Sequence, residues 1–548
     1  MEKKKENNFL VQGTILAAAA MITKFIGLAY RIPLTNILGA EGNGYYGIVF
    51  QVYNLALMLT SYSLPMAVSK LVSERLAKRQ YHNAQRVFGG ALTFAAIAGG
   101  AATLIIFIGA GFICSDILKM ELGVYALRTL SPCILIVAFL GVMRGYFQGH
   151  GTMLPTAVSQ IIEQIINAVI SVVCAYFLFN VGISMAEGAQ KESYGAALSA
   201  SGATMGTVFG ALTALIFLFV LYRAYTTVVK RRLKRERVRR LESKRNIYKI
   251  LMITIAPVIL SATLSNISNI LDQAVFTNVM TIQGMSEKEY TMLLGVFNGQ
   301  YDTMTGIPLS VATALAASFM PNLVATIQTG TKRQIYHKIS LVSRFNMMIV
   351  IPCAAGFIAL SKPILDLLFF TQDNTIPALL LRIGSVSVIF FCLSTVTTAA
   401  LQGMDRMMEP VKNAAIALAI HLVSLIFMLV VFKWNIYAVV VSKIVFGAAV
   451  CFLNDRSLNN ACGYRQEKKK TFIIPAIAST IMAVMAFAVY KLFSFVLGNI
   501  AATLLALIIA VAAYGISLVL LDGVSEAELH EMPFGTKLVK ILKTIHLM

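Results

Sequence analysis

The sequence predicts an all-α polytopic membrane protein. It is expected to hold fourteen transmembrane helices: two six-helix parallel repeats forming a cleft, plus two extra C-terminal helices. Three observations carry this reading. Hydrophobic residues make up 58% of the 548 and charged residues only 13%, against roughly 25% charged in soluble domains, and the mean hydropathy is +0.76. Apolar segments long enough to span a bilayer recur along the whole chain. The charges between them alternate in density from one connection to the next. A chain of this length has room for several soluble domains, yet no polar linkers divide it that way.

About 20 apolar residues cross the hydrocarbon core as a helix. That ruler places spans at 10–34, 45–66, 88–113, 124–147, 155–180, 195–222, 249–280, 291–319, 340–361, 376–402, 410–432, 435–454, 471–491 and 497–521. The N-terminal MEKKKENN followed by an apolar stretch imitates a signal peptide. No small-residue cleavage site closes it, so it reads as a retained first span. The second and eighth segments are the least apolar, as expected of helices that line a cavity.

The net charge of +21 is explained by topology rather than by nucleic acid, which requires a soluble basic face. Connections after even-numbered spans are cationic: Lys70, Arg75, Lys78, Arg79 and Arg86; Lys332, Arg333 and Lys338; Arg456, Arg465, Lys468, Lys469 and Lys470. The strongest, 223–249, carries twelve Lys+Arg against Glu236 and Glu242, a net +10. Connections after odd-numbered spans hold few cations. By the positive-inside rule both termini and the even-numbered loops are cytoplasmic. The 230–245 run is also suited to anionic lipid headgroups.

Two halves meet at the 223–249 loop. Gly47 and Tyr53 recur 248 positions later as Gly295 and Tyr301. Leu127, Arg128, Ser131, Gln148, Gly149 and Met153 recur 254 positions later as Leu381, Arg382, Ser385, Gln402, Gly403 and Met407. Six spans per repeat give both halves the same orientation, so their axis runs along the membrane normal, as in parallel-repeat transporters. The expected layout is an N-terminal lobe 1–222, a basic linker 223–249, a C-terminal lobe 250–455, a basic loop 456–470, helices 13 and 14 over 471–521, and a cytoplasmic tail 522–548.

Ionisable residues inside spans are costly and mark pathways or partners. Lys24 and Arg31 on span 1 lie seven apart, two turns along one helix face. They form an anion site, or pair with Asp272 or Asp302 across the cleft. Asp272, in SNISNILDQAVF, shares its surroundings with Ser265, Asn269 and Gln273. That cluster reads either as a site for Na⁺ or a proton, since hard cations want oxygen ligands, or as a helix-packing hydrogen-bond cluster. Asp302 in span 8 answers a span 1 cation or sits at the outer interface. Glu163 in span 5 has no nearby partner in sequence. EGNGYYG at 41–47 and Pro65 bracket span 2, and Gly306-Ile307-Pro308 falls within span 8; these read as kinks or hinges.

No enzyme motif is present. The seven cysteines are scattered without a CxxC pair, so neither a disulfide framework nor a zinc site is indicated. GxxxxGK[ST] is absent, which argues against an ATP-driven pump, and the six histidines show no HExxH spacing. GYFQGHG at 145–151 reads as loop punctuation. No cofactor is expected, with coupling to Na⁺, H⁺ or the membrane potential left open.

TKFIGLAYRIPLTNILGAEGNGYYGIVFQVYNL at 23–55, SLPMAVSKLVSERLA at 63–77 and IPLSVATALAASFMPNLVA at 307–325 resemble the MurJ/SpoVB/YtgP group of the MOP flippase superfamily, over essentially the whole chain. The resemblance implies a bacterial cytoplasmic-membrane flippase that moves lipid-linked peptidoglycan precursor (lipid II) outward by alternating access, in the setting of the cell-wall synthesis machinery. It implies a cationic cavity for the pyrophosphate, a portal between spans 1 and 8, and a lipid-tail groove at spans 13 and 14. Lys24 matches a family cavity cation, and Arg31 falls one residue from the next. The family's span 2 arginines are replaced here by Gln51, Asn54 and Met58. Substrate contacts are thus expected from Lys24, Arg31, Asp302, Gln51 and Glu163. Asp272 resembles a span 7 carboxylate used for Na⁺ in some members, with Asn269 beside it. The competing expectations are a flippase for another undecaprenyl-pyrophosphate-linked oligosaccharide and a cation-coupled extruder of the same superfamily.

Overall fold

The computed structural model describes residues 2–185, 188–234, 236, 241–329 and 331–523. Side chains are described throughout except at 2–14, 17, 189, 228, 232, 234, 244, 253–254, 256–258, 260–266, 317–322, 324–325 and 328–329. The tail beyond 523 and the centre of the basic linker therefore lie outside the described residues. The described chain is helical with no strand.

Fifteen α-helices follow in order: α1 (Glu2–Thr60), α2 (Leu64–Ala77), α3 (Tyr81–Gly111), α4 (Val124–Leu130), α5 (Pro132–Gly149), α6 (Leu154–Met185), α7 (Lys191–Lys234), α8 (Lys244–Ile282), α9 (Glu287–Val296), α10 (Asp302–Thr329), α11 (Lys332–Leu368), α12 (Thr375–Gly403), α13 (Met408–Val430), α14 (Ile436–Cys462) and α15 (Ile474–Leu520). π-helical turns extend α3 over Phe112–Ile117, join α9 to α10 over Phe297–Tyr301 and lead into α15 over Lys469–Ile473. Among the described residues ten helical runs are long and apolar enough to cross a membrane. Two of these, Ala18–Ala77 and Lys469–Leu520, hold 60 and 52 residues. At 1.5 Å per residue each is far longer than a core of about 30 Å.

Both long runs are broken by a glycine. Gly39 has φ 66 and ψ −177, and Gly498 has φ 71 and ψ 175. Segments 1 and 2 thus share α1, and segments 13 and 14 share α15. The break falls at Gly39, not in the glycine-rich 41–47 stretch, which is helical. Those glycines serve close packing instead. A Cβ at Gly44 would press on Thr291, and one at Gly47 would sit 2.5 Å from the Asn298 amide. Likewise Gly306 and Pro308 lie in uninterrupted helix, and the irregular turn is the π-helix just before them. GYFQGHG is also not simply loop. Gly145 and Gly149 let α5 lie on α2, where a Cβ would come within 3 Å of Pro65 and Val72, and only Gly151, with φ 80, turns the chain.

The chain divides into two compact units, residues 1–299 and 300–548. In the first, α6 and α7 are the most extensively packed pair. Gly202, Gly206 and Gly210 recur every four residues along α7 against Cys174, Ser171 and Glu163 of α6, the small-residue stripe that lets membrane helices approach closely. In the same unit the linker is fastened to the ends of α2 and α3. Arg75 grips both carboxylate oxygens of Glu242 at 3.2 and 3.0 Å, and Arg86 donates to the Glu242 carbonyl at 2.6 Å. The Glu236 carboxylate takes the His82 backbone N–H at 2.8 Å and contacts its ring Nδ1 at 2.6 Å.

In the second unit Ala312, Met347, Val350, Ile351, Val388, Cys392 and Leu393 join α10, α11 and α12 in one apolar core. Leu360, Met482, Ala486, Ala506 and Ala510 seat both halves of α15 against α11. Polar ties cross this core: Asn346 donates to the Cys392 carbonyl at 2.8 Å, and the Tyr514 hydroxyl to that of Met348 at 2.7 Å.

Candidate functional site

Six of the seven predicted site residues lie in the first unit, and the helices bring four of them into connected surroundings. On α1, Lys24, Gly27 and Arg31 recur at three and four residues, so one face carries both cations. That face meets α6: a Cβ at Gly27 would lie 3.2 Å from the Gln164 amide, and Asn167 donates to the Tyr30 hydroxyl at 3.3 Å.

Arg31 is half-buried. Its guanidinium lies 4.6 Å from the centre of the buried Tyr46 ring and donates to the Asn298 carbonyl at 3.4 Å. The Gly39 break makes this possible, because it folds the second half of α1 back so that Tyr46 meets a residue fifteen positions earlier. Lys24 is exposed in the protein and makes no hydrogen bond or ion pair among the described residues. Gln51 is half-buried and likewise makes none.

Asn298 ties α8 to the same place. Its side chain exchanges hydrogen bonds with Gln273 at 3.2 and 3.5 Å. The preceding residue, Asp272, is only 2% exposed, and Asn269 lies one turn away, half-buried. Ser265 lies outside the described side chains. One buried carboxylate and one amide a turn apart fall short of the six to eight oxygens that a hard divalent ion gathers. Among the described residues no group of three or more His, Cys, Asp or Glu is placed to hold a metal.

Glu163 has a partner that lay outside the sequence reading. Arg144 of α5 donates to its carboxylate at 2.6 Å and to the Ser159 hydroxyl at 3.0 Å. The two residues are 19 apart in sequence but face each other because α5 and α6 form an antiparallel hairpin. Asp302, in the second unit, also has a partner: Lys443 of α14 lies 3.6 Å from its carboxylate. Arg144 and Lys443 each carry the signal that finds them, a cation inside an apolar segment. Asn298, a neutral residue, carries none.

The first unit thus holds three cations within its spans, Lys24, Arg31 and Arg144, with Glu163 paired to Arg144 and Asp272 buried on α8. Such an excess of fork-shaped and point-like donors suits a polyanion. Outside the spans, Glu287 at the start of α9 is pushed upward in pKa by burial, partly offset by the Glu121 and Leu122 backbone N–H groups and the Tyr45 hydroxyl.

Comparison with known proteins follows the same direction. The chain is 26% identical over 430 residues to "Lipid II flippase MurJ" of Bacillus subtilis (strain 168), covering 76% of each protein. The solved structure titled "Lipid II flippase MurJ, inward closed conformation" aligns at TM-score 0.63 and 14% identity, over 92% of this chain and 98% of that one. An inward-facing multidrug resistance MATE family transporter of the MOP superfamily aligns at TM-score 0.64 and 16% identity, over 80% and 95%. At such identities the structural likeness speaks for the fold. The family profile described as "Polysaccharide biosynthesis protein" matches residues 10–327, more than half of the chain. This multi-pass helical protein therefore belongs to the polysaccharide biosynthesis protein family, on the fold common to MurJ and the MATE transporters.

Proposed function

We propose that this protein flips a lipid-linked peptidoglycan precursor, lipid II, from the inner to the outer leaflet of the bacterial cytoplasmic membrane by alternating access. The observation that supports the reading is the α1 face, where Lys24 makes no ion pair among the described residues and Arg31 is held by the Asn298 carbonyl and the Tyr46 ring. A polyprenyl pyrophosphate has an anionic, sugar-bearing head that hydrocarbon excludes, while its tail stays in lipid. Lys24 and Arg31 take the head, with Gln51 supplying a neutral polar contact, and α15 offers the tail a surface. An inside-negative potential favours outward movement of the anion by about 2.3 kcal/mol per charge per 100 mV. Relatives bearing flippase and transporter names, rather than enzyme names, support the absence of a catalytic step.

The finer topology belongs to the same proposal: fourteen crossings, with α1 and α15 each crossing twice, two like-oriented repeats, and cytoplasmic termini. Coupling to Na⁺, H⁺ or the potential is proposed as well, with Asp272 and Asn269 as the residues that would hold a cation. The alternative readings are another undecaprenyl-pyrophosphate-linked oligosaccharide as cargo, and small-molecule extrusion, which the MATE likeness keeps in view.

The test is replacement of a depleted native lipid II flippase by this chain, with lipid II assayed in the outer leaflet. Restored export supports the proposal; absent export at normal membrane levels overturns it. Lys24→Ala and Arg31→Ala are expected to reduce export at least tenfold, and unimpaired export in both would remove them from the site.

A further inference from the structure

The Arg144–Glu163 pair differs from a bridge that merely joins two helices. It is incomplete: Nε and one terminal nitrogen of Arg144 are engaged by Ser159 and Glu163, and the other terminal nitrogen makes no bond among the described residues. It is also open on the carboxylate side, where Glu163 keeps 27% of its side-chain exposure against 14% for Arg144. One turn away, the side-chain oxygen of Gln160 is buried without a hydrogen-bond partner. Among the described residues α5 and α6 thus bring together a guanidinium with one unengaged nitrogen and an amide oxygen with no donor.

The pair is also level with the α1 cations. The Gly27–Gln164 and Tyr30–Asn167 contacts advance together along both helices, so α1 and α6 run parallel here. Glu163 then comes level with residue 26 of α1, about 3 Å along the axis from Lys24. On the second half of α1 Tyr53 meets Phe50 edge-on at 5.4 Å, and Phe50 lies tilted at 5.1 Å from Tyr46, the ring beneath Arg31.

We infer that Arg144 is a further anion-binding group and that Glu163 is its exchangeable counterion, occupying the place of a phosphate oxygen of the lipid-linked pyrophosphate head. The inference rests on the flippase reading above. In the empty protein Glu163 neutralises a guanidinium that would otherwise be costly within a membrane helix. A pyrophosphate carries more charge than one carboxylate and presents paired oxygens that match the guanidinium fork, so it displaces Glu163. Ser159 holds Nε during the exchange and keeps the guanidinium plane in position. The exchange moves no covalent bond and gives the site a reason to hold its cargo and yet release it, since the returning carboxylate competes for the same donor.

The test uses the full chain in lipid nanodiscs with undecaprenyl pyrophosphate as the probe, bound amounts being read by native mass spectrometry. Glu163→Gln keeps the hydrogen-bonding shape and removes the competing charge, so it is expected to bind roughly tenfold tighter. Arg144→Gln is expected to bind roughly tenfold weaker, and the double variant to match Arg144→Gln. Arg144→Lys retains the charge and the pairing but loses the fork, and should bind several-fold weaker while keeping the thermal midpoint. Neutral undecaprenol should show none of these differences. If the probe binds, weakens in Lys24→Ala and Arg31→Ala, yet Glu163→Gln binds no tighter, the counterion role is overturned and the flippase reading stands. A wild-type chain that retains no undecaprenyl pyrophosphate overturns both.

Discussion

Gly39 and Gly498, 459 residues apart, adopt one backbone conformation: φ 66 and 71, ψ −177 and 175. This region is open essentially to glycine alone. An asparagine stands beside each break. Asn43 donates to the carbonyls of Thr35 and Gly39 at 2.9 and 2.6 Å, and Asn499 receives the Tyr490 hydroxyl at 3.0 Å. Gly39→Ala and Gly498→Ala are each expected to cost about 1–3 kcal/mol, read as a lowered thermal midpoint in detergent. Gly100→Ala, mid-helix with open space around its Cα, is the control and should be neutral or stabilising.

Close approach, rather than backbone freedom, governs Gly295. A Cβ there would overlap the Ala40 carbonyl oxygen, and nothing in that backbone is free to yield. Gly295→Ala is therefore expected to destabilise the first unit by about 2–3 kcal/mol through overpacking. Detergent unfolding followed by circular dichroism checks it, and a variant that melts with wild type would refute the packing.

Glu287 adds a dependence on pH. Burial, the largest cause, raises its folded pKa above the unfolded value. The folded protein therefore keeps its proton to higher pH than the unfolded chain does. Stability is fully present below the unfolded value, near 4.3, and is lost as pH rises through the folded one. Glu287→Gln retains an acceptor for Tyr45, 3.3 Å away, and should flatten this decline. Melting curves from pH 4 upward read the difference; parallel curves would exclude the burial effect.

Glu242 and Glu236 are the two acidic residues of the cationic linker, and both are spent on fastening it. Glu242→Gln removes the charge that Arg75 grips from a position with 7% side-chain exposure. Local opening should become easier by about 1–3 kcal/mol. Trypsin cleavage within 230–245 is then expected to accelerate roughly tenfold, while the global melting midpoint changes little.

Asp302 and Lys443 are partly buried, 32% and 15% exposed, at 3.6 Å. A double-mutant cycle with Asp302→Asn and Lys443→Gln is expected to return a coupling of about 1–2 kcal/mol. Additive effects would show that the contact carries no energy.

Much of the fold was legible because hydropathy is a local property. Each of the fourteen apolar segments falls mainly on helix, and the in-span charges at Lys24, Arg31, Glu163, Asp272 and Asp302 are visible as costly exceptions. Their partners were less legible. Arg144 and Lys443 carry a charge that a scan for in-span cations detects, but which carboxylate each one meets depends on how helices pair. Asn298 carries no charge and no motif, yet its carbonyl meets Arg31 and its amide meets Gln273.

The glycines show the same division most sharply. A string of letters tells that 39–47 is glycine-rich, not which glycine bends the chain and which ones admit a neighbour. The sequence by itself determined a membrane-embedded helical protein of this family and a cationic face on α1, because apolar length, helical period and charge are one-dimensional. Only the tertiary structure decided that Gly39 carries the break, that Glu163 neutralises Arg144, and that Asp302 meets Lys443. Those facts depend on distances between residues far apart in the chain, which helix packing alone sets.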